Sequence, residues 1–393
     1  MRFFHISDLH IGKQLNGYNL RESQDKVLSQ IAFYAEKERP DAILICGDIY
    51  DKSVPSGEAH TVFDAFLNRL AKLRPSVPVM IIAGNHDSPE RLRYASALLE
   101  KHKIYISVLP PGSEAEHLKK VTLKDQWGNV NFYLLPFMKP GYVRSILPKE
   151  AEEGYTSAFA GVVKREEVDK RERNVILAHQ FFVKGNEQPK TCESEQPVLT
   201  VGGIDQVDVK ALLDFDYAAL GHLHGAQRVG DEAVRYSGSP LKYSVSEEHH
   251  QKSVTVVTLL EKGKAPAVEF LPLTSSLEVR KERGSLQDIL DRATEDNRHD
   301  YVSITLTDEE EMPDFRILLE ERYDHILDIK IDNQRTRKRL SEDFESVECE
   351  HLSPVQAFSR FYEAVRHTAM TGEQEQFIKQ IMADLEIAGE EEV

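Results

Sequence analysis

At 393 residues the chain is longer than one hydrophobic core usually supports, so two or three domains are expected. With 40% hydrophobic and 29% charged residues its composition is ordinary for a globular protein, and no apolar run is long enough to span a bilayer, so a membrane protein is not expected. The 66 acidic residues against 49 basic ones give a net charge of -17, which weighs against simple electrostatic capture of nucleic acid. Carboxylates that build a metal site would be offset by their cations, and a local basic strip or a partner could supply the charge a phosphate backbone needs.

The start, Met1-Arg2-Phe3-Phe4-His5-Ile6, enters a strand-like run without the zones of a signal peptide, so export is not expected. Cys46, Cys192 and Cys349 are far apart and outside any CxxC pair. Neither a disulfide framework nor a zinc knuckle is implied, and a reducing cytoplasm fits.

In chain order, short apolar runs at 3–6, 42–46 and 79–83 read as buried strands bounded by polar or glycine-rich turns. Val62, Phe63, Phe66, Leu67 and Leu70 fall on one face of a helix over 58–73. Further strands are expected at 131–135, 174–178, 217–220, 234–237, 254–260 and 267–271, the last two flanking a Lys262-Gly263 turn. The charge run over 164–173 alternates in sign and is expected to be a solvated helix face. A second unit follows: strand 277–281, helix 286–293, strand 301–306, helix 315–323 and strand 326–331, the order of a small α/β domain. The polar run 333–339 reads as a linker. Ser353-Pro354-Val355-Gln356 is a capping box with proline at the first helical position, and Thr371-Gly372-Glu373-Gln374 is a weaker one, so two short helices are expected to close the chain.

Metal-binding residue types stand at five strand ends. The first strand runs into Asp8-Leu9-His10, the second into Gly47-Asp48 and the third into Gly84-Asn85-His86-Asp87. The strand at 174–178 meets His179, and that at 217–220 meets Gly221-His222-Leu223-His224. In open α/β sheets ligands gather outside the carboxyl ends of strands, so these ends are expected to share one site. A pair of divalent cations that clamps a phosphate takes carboxylate and amide oxygens together with imidazole nitrogens. Asp8 and His10 share a face if their segment is extended; so do His222 and His224, although these two could serve different ions. Gly47, Gly84 and Gly221 are expected to let the chain turn sharply into each loop. Singly, each motif has an ordinary explanation, such as a turn or a surface histidine; their order along five strand ends carries the metal-site reading. His249 and His250, in a Glu-rich loop, read as solvated.

The ordered set resembles the calcineurin-like metallophosphoesterase superfamily. The strings His5-Ile6-Ser7-Asp8-Leu9-His10, Gly47-Asp48-Ile49-Tyr50-Asp51 and Gly221-His222-Leu223-His224 resemble its SbcD branch, over essentially the whole chain. The resemblance implies an α/β fold: a four-layer α/β/β/α metallophosphoesterase domain over 1–272, a small α/β capping domain over 273–335, a linker over 336–352 and a C-terminal helical pair for partner docking over 353–393. It implies two divalent metal ions, manganese foremost, with Asp8, His10 and His224 on one, Asn85, His179 and His222 on the other, and Asp48 bridging. It also implies a catalytic His86 that stabilises the transition state or protonates the leaving oxygen, and a supporting Asp87 that orients His86. Asp51 stands where some relatives carry a second substrate-facing histidine; a turn or helix cap is its alternative role.

By the same resemblance the activity is hydrolysis of DNA phosphodiesters beside an SbcC-type ATPase, in repair, recombination and replication. It would comprise ATP-stimulated 3′-5′ exonuclease action on duplexes and endonuclease action on single strands and hairpins. The stretch 183–203 would be either a surface loop or a lip that contacts DNA. A homodimer through helices near 58–73 and 90–101 is expected, Leu92, Tyr94, Ala95, Leu98 and Leu99 offering surplus apolar surface, unless the chain's own sheet covers them. The tail carries the stripes Val355, Phe358, Phe361, Tyr362, Val365 and Phe377, Ile378, Ile381, Met382, Leu385, which would dock on the ATPase or pack on the body. Two rivals stand beside this reading: a phosphoesterase of nucleotides or phosphoproteins, and a fold kept as a scaffold, which the full ligand set argues against.

Overall fold

The structure is a computed structural model that describes residues 1–147, 154–185, 187–195, 205–310, 312–337, 354–366, 368–372 and 374–378. The chain opens with β1 (Arg2–Ile6), α1 (Arg21–Glu38), β2 (Ala42–Cys46), α2 (Gly57–Ala71) and β3 (Val79–Ile82), then α3 (Pro89–Arg93), α4 (Ser96–Glu100) and β4 (Ile104–Ser107). It continues through β5 (Lys119–Asp125), β6 (Gly128–Leu135), α5 (Tyr155–Arg165), β7 (Arg173–His179), β8 (Tyr217–Gly221), β9 (Gln227–Val229) and β10 (Asp231–Tyr236). The hairpin β11 (Ser253–Thr258) and β12 (Ala267–Pro272) follows.

Two six-stranded mixed sheets result, ordered β12-β11-β1-β2-β3-β4 and β9-β10-β8-β7-β6-β5. The inner strands β1 to β4 run parallel, as do β10, β8, β7 and β6, while the hairpin strands at the edges are antiparallel. In the inner strands side chains alternate between faces and both faces are buried, which is why those strands read as apolar runs. From the first sheet Phe3, Leu44, Met80 and Ile82 meet Phe132, Leu134, Val175, Leu177 and Tyr217 of the second in one shared core. On the opposite face of the first sheet Phe4, Ile43, Ile45 and Ile81 pack with Leu28 and Ile31 of α1 and Phe63 and Phe66 of α2. On the opposite face of the second, Tyr133, Ile176 and Leu220 pack with Phe159 and Val162 of α5.

The helix ends follow local chemistry. Ser56 caps α2 by accepting the Ala59 amide at 3.2 Å, and the predicted stripe Val62, Phe63, Phe66, Leu67, Leu70 is its buried face. The expected helix over 90–101 is instead two five-residue pieces, broken where Ala95 adopts a left-handed backbone (φ 60). The charge run 164–173 is not a helix face: α5 ends at Arg165, Glu167 turns left-handed (φ 44), and Arg173 begins β7 buried against Asp125.

Beyond the hairpin, β13 (Val279–Gly284), α6 (Leu286–Arg292), β14 (Tyr301–Leu306), α7 (Phe315–Glu320) and β15 (His325–Ile331) form a three-stranded sheet in the order β13-β14-β15. Its helices cover a core of Ile289, Val302, Ile304, Leu319 and Tyr323. Val279, Tyr301 and Leu327 join Leu15, Leu20, Val27, Leu241 and Tyr243 in a further cluster, so this sheet is packed onto the body. By contacts, residues 1–306 and 312–330 make one compact unit, and 307–311 with 331–393 make another. In the second unit Asn333, expected in a linker, caps a helical turn through its side chain, which accepts the Thr336 amide at 2.9 Å. That unit also contains α8 (Pro354–Arg366); most of the expected linker and the residues 379–393 lie outside the described residues. No helix among the described residues is long and apolar enough to cross a membrane.

Candidate metal centre

All five strand ends deliver their residues to one place. The loops after β1 and β2 are laced together, Asp8 N–H donating to the Gly47 carbonyl and His10 N–H to the Asp48 carbonyl, both at 3.0 Å. These loops are not extended, as the i, i+2 expectation required: Asp8 (φ 54), His10 (φ 41) and Asp48 (φ 49) are left-handed, and His222 (φ 107) also has positive φ. Such backbone costs about 1–3 kcal/mol per non-glycine residue and persists only where its surroundings over-determine it. Of the three glycines, only Gly47 has positive φ (89); the other two are needed for space. A Cβ on Gly84 would stand 2.1 Å from Asp48 Oδ1, and one on Gly221 would stand 1.8 Å from the Cys46 carbonyl oxygen.

The side chains fall into two adjoining groups around Asp48. On one side His10 Nε2 and His224 Nε2 are 3.1 Å apart, with the Asp8 carboxylate within the same 4.8 Å cluster. On the other side the Asn85 carbonyl oxygen lies 3.1 Å from both His179 Nε2 and His222 Nδ1. Asp48 Oδ2 lies between, 3.6 Å from His10 Nε2 and 3.3 Å from His179 Nε2. His222 and His224 therefore diverge, one to each group. Asp8, His10, Asp48, His179 and His224 form a buried floor, while Asn85 is exposed and His86 half-buried at the rim.

The electrostatics are those of a site that wants positive charge. Burial pushes the Asp8 carboxyl up to about 8. For His179 burial works downward, but the Asp48 carboxylate, Asp8 and the Cys46 carbonyl together outweigh it and lift the imidazole to about 9. Burial brings His10 down to about 4, so its ring is neutral and offers a lone pair. His179 Nδ1 faces the Cys46 carbonyl at 2.8 Å, which directs Nε2 at the cluster. The protons that Asp8 and His179 retain would give way to cations, and carboxylate, amide and imidazole donors converging on one place fit hard or borderline divalent ions.

Around the donors the structure departs from several expectations. Asp87 does not touch the His86 ring: its carboxylate accepts the amides of Gly84 (2.9 Å), Ile49 (3.1 Å) and Tyr50 (2.9 Å), clamping the loop after β2 to the loop after β3. The Asp51 carbonyl oxygen orients His86 instead, 2.9 Å from its Nδ1. Asp51 opens the bend over 51–54 and caps no helix, the next helix being capped by Ser56; its carboxylate pairs with Lys13 at 2.8 Å and stands 3.5 Å from His10 Nδ1. His249 is exposed as expected, whereas His250 is half-buried with Nδ1 3.8 Å from Glu247. Of 183–203, residues 186 and 196–203 lie outside the described residues, but Ser194 and Glu195 turn inward and bond to His224.

Sequence reasoning missed the supports of the floor: Gln24, Ser194, Glu195, Tyr243, Glu247 and Lys252. The Gln24 amide donates to the His10 carbonyl at 2.7 Å, and the Tyr243 ring lies 5.5 Å from His10 and 5.6 Å from His224. Their one signal is polarity at positions the fold buries, and that is visible only once the fold is known. Cys46 and Cys192 are buried free thiols; Cys349 lies outside the described residues.

A family profile for calcineurin-like phosphoesterases matches residues 1–226, and one described as the type 5 capsule protein repressor C-terminal domain matches residues 276–366. The chain is 30% identical over 389 residues to the SbcD component of the SbcCD nuclease of Staphylococcus epidermidis, covering 98% of each chain. It is 30% identical over 388 residues to that of Staphylococcus saprophyticus, again covering 98% of each. A solved structure of GAP50 from Plasmodium aligns with 69% of this chain and 84% of that chain at 14% identity and a TM-score of 0.40. The chain belongs to the calcineurin-like phosphoesterases, hydrolases of phosphate esters, and within them to the SbcD family of nucleases.

Proposed function

We propose that the chain is a two-cation DNA nuclease that works in the cytoplasm beside an SbcC-type ATPase, on the four-layer α/β/β/α domain that the three sheet-flanking cores support. The observation that carries the reading is the double donor set sharing Asp48. Asp8, His10 and His224 would hold one ion, Asn85, His179 and His222 the other, and Asp48 both. Two divalent cations, manganese by preference, would when bound supply Lewis-acid and charge-neutralising chemistry to a phosphodiester. His86 sits at the rim with Nδ1 committed to the Asp51 carbonyl, so Nε2 is the nitrogen left for a phosphate oxygen. As the P–O bond breaks, a protonated His86 would give its Nε2 proton to the leaving oxygen; water would supply the oxygen of the new P–O bond, and the proton it releases to solvent balances the one His86 must regain. Asp87 holds the two loops that carry Asp48 and His86 in register.

A homodimer belongs to the same proposal. Tyr94 (84% exposed) rims a cleft of about 1060 Å³ between α2 and the α3–α4 pair, lined by Phe63, Leu67 and Leu99, and Leu98 of α4 is also exposed (59%). The test of the whole reading is cleavage of end-labelled duplex, hairpin and single-stranded DNA with manganese, with and without the ATPase. Manganese-dependent cutting, stimulated on duplex by the ATPase and ATP, is expected. Hydrolysis of a small chromogenic diester with no cutting of any DNA would overturn it.

A further inference from the structure

Behind His224, on the side away from the donor cluster, lies a buried polar network contributed by three separate segments. We propose that Glu247 is a positioning residue for the metal centre: acting through Ser194, it fixes His224 with its hydrogen on Nδ1 and leaves Nε2 a free donor. This rests on the two-cation reading above and names how this chain builds one half of it.

Proton bookkeeping gives the assignment. Glu247 is fully buried (0% exposed), and its Oε2 accepts from Lys252 Nζ at 2.5 Å. The other lysine protons go to the His224 carbonyl at 2.9 Å and Ser239 Oγ at 2.8 Å. Paired in this way, Glu247 is a carboxylate and can only accept. Its Oε1 takes the Ser194 hydroxyl at 2.6 Å and the Tyr243 amide at 3.1 Å. Ser194 has then spent its one proton, so at its 2.9 Å contact with His224 Nδ1 it must accept. Nδ1 also lies 3.4 Å from Glu247 Oε1. Both groups facing Nδ1 are therefore acceptors, and in a neutral imidazole the hydrogen resides there. Nε2, 3.1 Å from His10 Nε2, keeps its lone pair. Glu195 and Lys252 meanwhile hold the backbone N–H and carbonyl of His224, so ring and main chain are fixed together. Partners that set the tautomer of a ligating histidine are worth about 10–100-fold in metal affinity.

The test uses the full chain stripped of metal and labelled with ¹⁵N-histidine. Glu247→Gln keeps the shape but places an amide that can donate toward Ser194, reversing the relay. Manganese titration should show one of two sites weakened by about 10–100-fold and the other unchanged. The ¹⁵N signal of His224, identified by its loss in His224→Gln, should move from the Nδ1–H to the Nε2–H pattern. Glu247→Asp should restore part of the affinity, and Ser194→Ala, on a half-buried residue, should weaken the same site without unfolding the chain. Two unchanged affinities with an unchanged tautomer would overturn the proposal. So would a lowered unfolding temperature with both sites weakened alike, the mark of a purely structural ion pair. If Glu247→Gln fails to fold, the Ser194→Ala titration decides by the same criteria. A wild-type chain that takes up fewer than two manganese ions would instead sink the two-cation reading.

Discussion

His86 differs from the other histidines of the site in what its ring meets. His10, His179, His222 and His224 each bring a nitrogen within 3.1 Å of an amide oxygen or another imidazole of the cluster, whereas His86 commits Nδ1 to the Asp51 carbonyl at 2.9 Å and joins His10 and Asp48 only within 4.8 Å. Its ring packs edge-on against His10 with centroids 4.9 Å apart, and its backbone N–H donates to Asp48 Oδ1 at 2.9 Å. His86→Ala should therefore cut DNA cleavage by about 10²–10⁴-fold, the usual worth of a positioned acid, and leave the bound manganese unchanged. Metal analysis of the purified variant decides, because loss of an ion along with activity would put His86 in the ligand shell. Residue types and their order along the chain were enough to gather this site. Which atom meets which was not readable: Asp87 follows His86 directly yet accepts one amide of its own loop and two of the loop after β2, and Glu247 and Lys252 look like surface charges until β11 and its preceding loop are folded against His224.

Strands buried on both faces announce themselves as apolar runs, which is why β1, β2, β3, β7 and β8 were legible with their ends within two residues. The edges were not. β5 reads Lys-Lys-Val-Thr-Leu-Lys-Asp, because an edge strand faces water on one side and alternates, and β4 is only four residues long. One contact at the sheet ends opposite the metal centre carries a stability prediction. Arg173 at the start of β7 is buried and bonds Asp125 at the end of β5, and the amino group of Met1, beside β1, reaches the same carboxylate at 2.7 Å. These two cations hold the Asp125 carboxyl below the usual range. A depressed folded-state value adds stability above the unfolded carboxyl value of about 4, and that stability is lost as the pH falls below it. Asp125→Asn should lower the unfolding temperature by several degrees at pH 7, since it leaves Arg173 buried without its partner. Calorimetry at pH 7 and again near pH 3 should find the gap between wild type and variant shrinking. A gap independent of pH would place the loss in packing instead.

A nuclease of net charge -17 has reason to meet a polyanionic substrate in company, and two of its surfaces are candidates for that company. One is the α2 cleft rimmed by Tyr94, with Leu98 of α4 exposed as well, in the larger unit. The other is in the smaller unit, where α8 exposes Phe361 (64%) beside a half-buried Phe358, and Phe377 (65%) follows. Large exposed rings of this kind cost solubility unless something covers them. A 13-residue helix is marginal alone in water, so α8 gains most from a surface that buries its apolar stripe. Because the two surfaces lie in different units, one truncation separates them. Removing residues 345–393 should abolish co-purification with the ATPase and ATP-stimulated cutting of duplex DNA. Manganese-dependent cutting of single strands should remain, because every donor of the metal centre lies before residue 225 and its supports before residue 253. Sedimentation at micromolar concentration should give a dimer for the full chain and for the truncated one alike. A truncated chain that still binds the ATPase undiminished would remove the tail from docking. A full-length monomer would remove the α2 cleft from dimer formation.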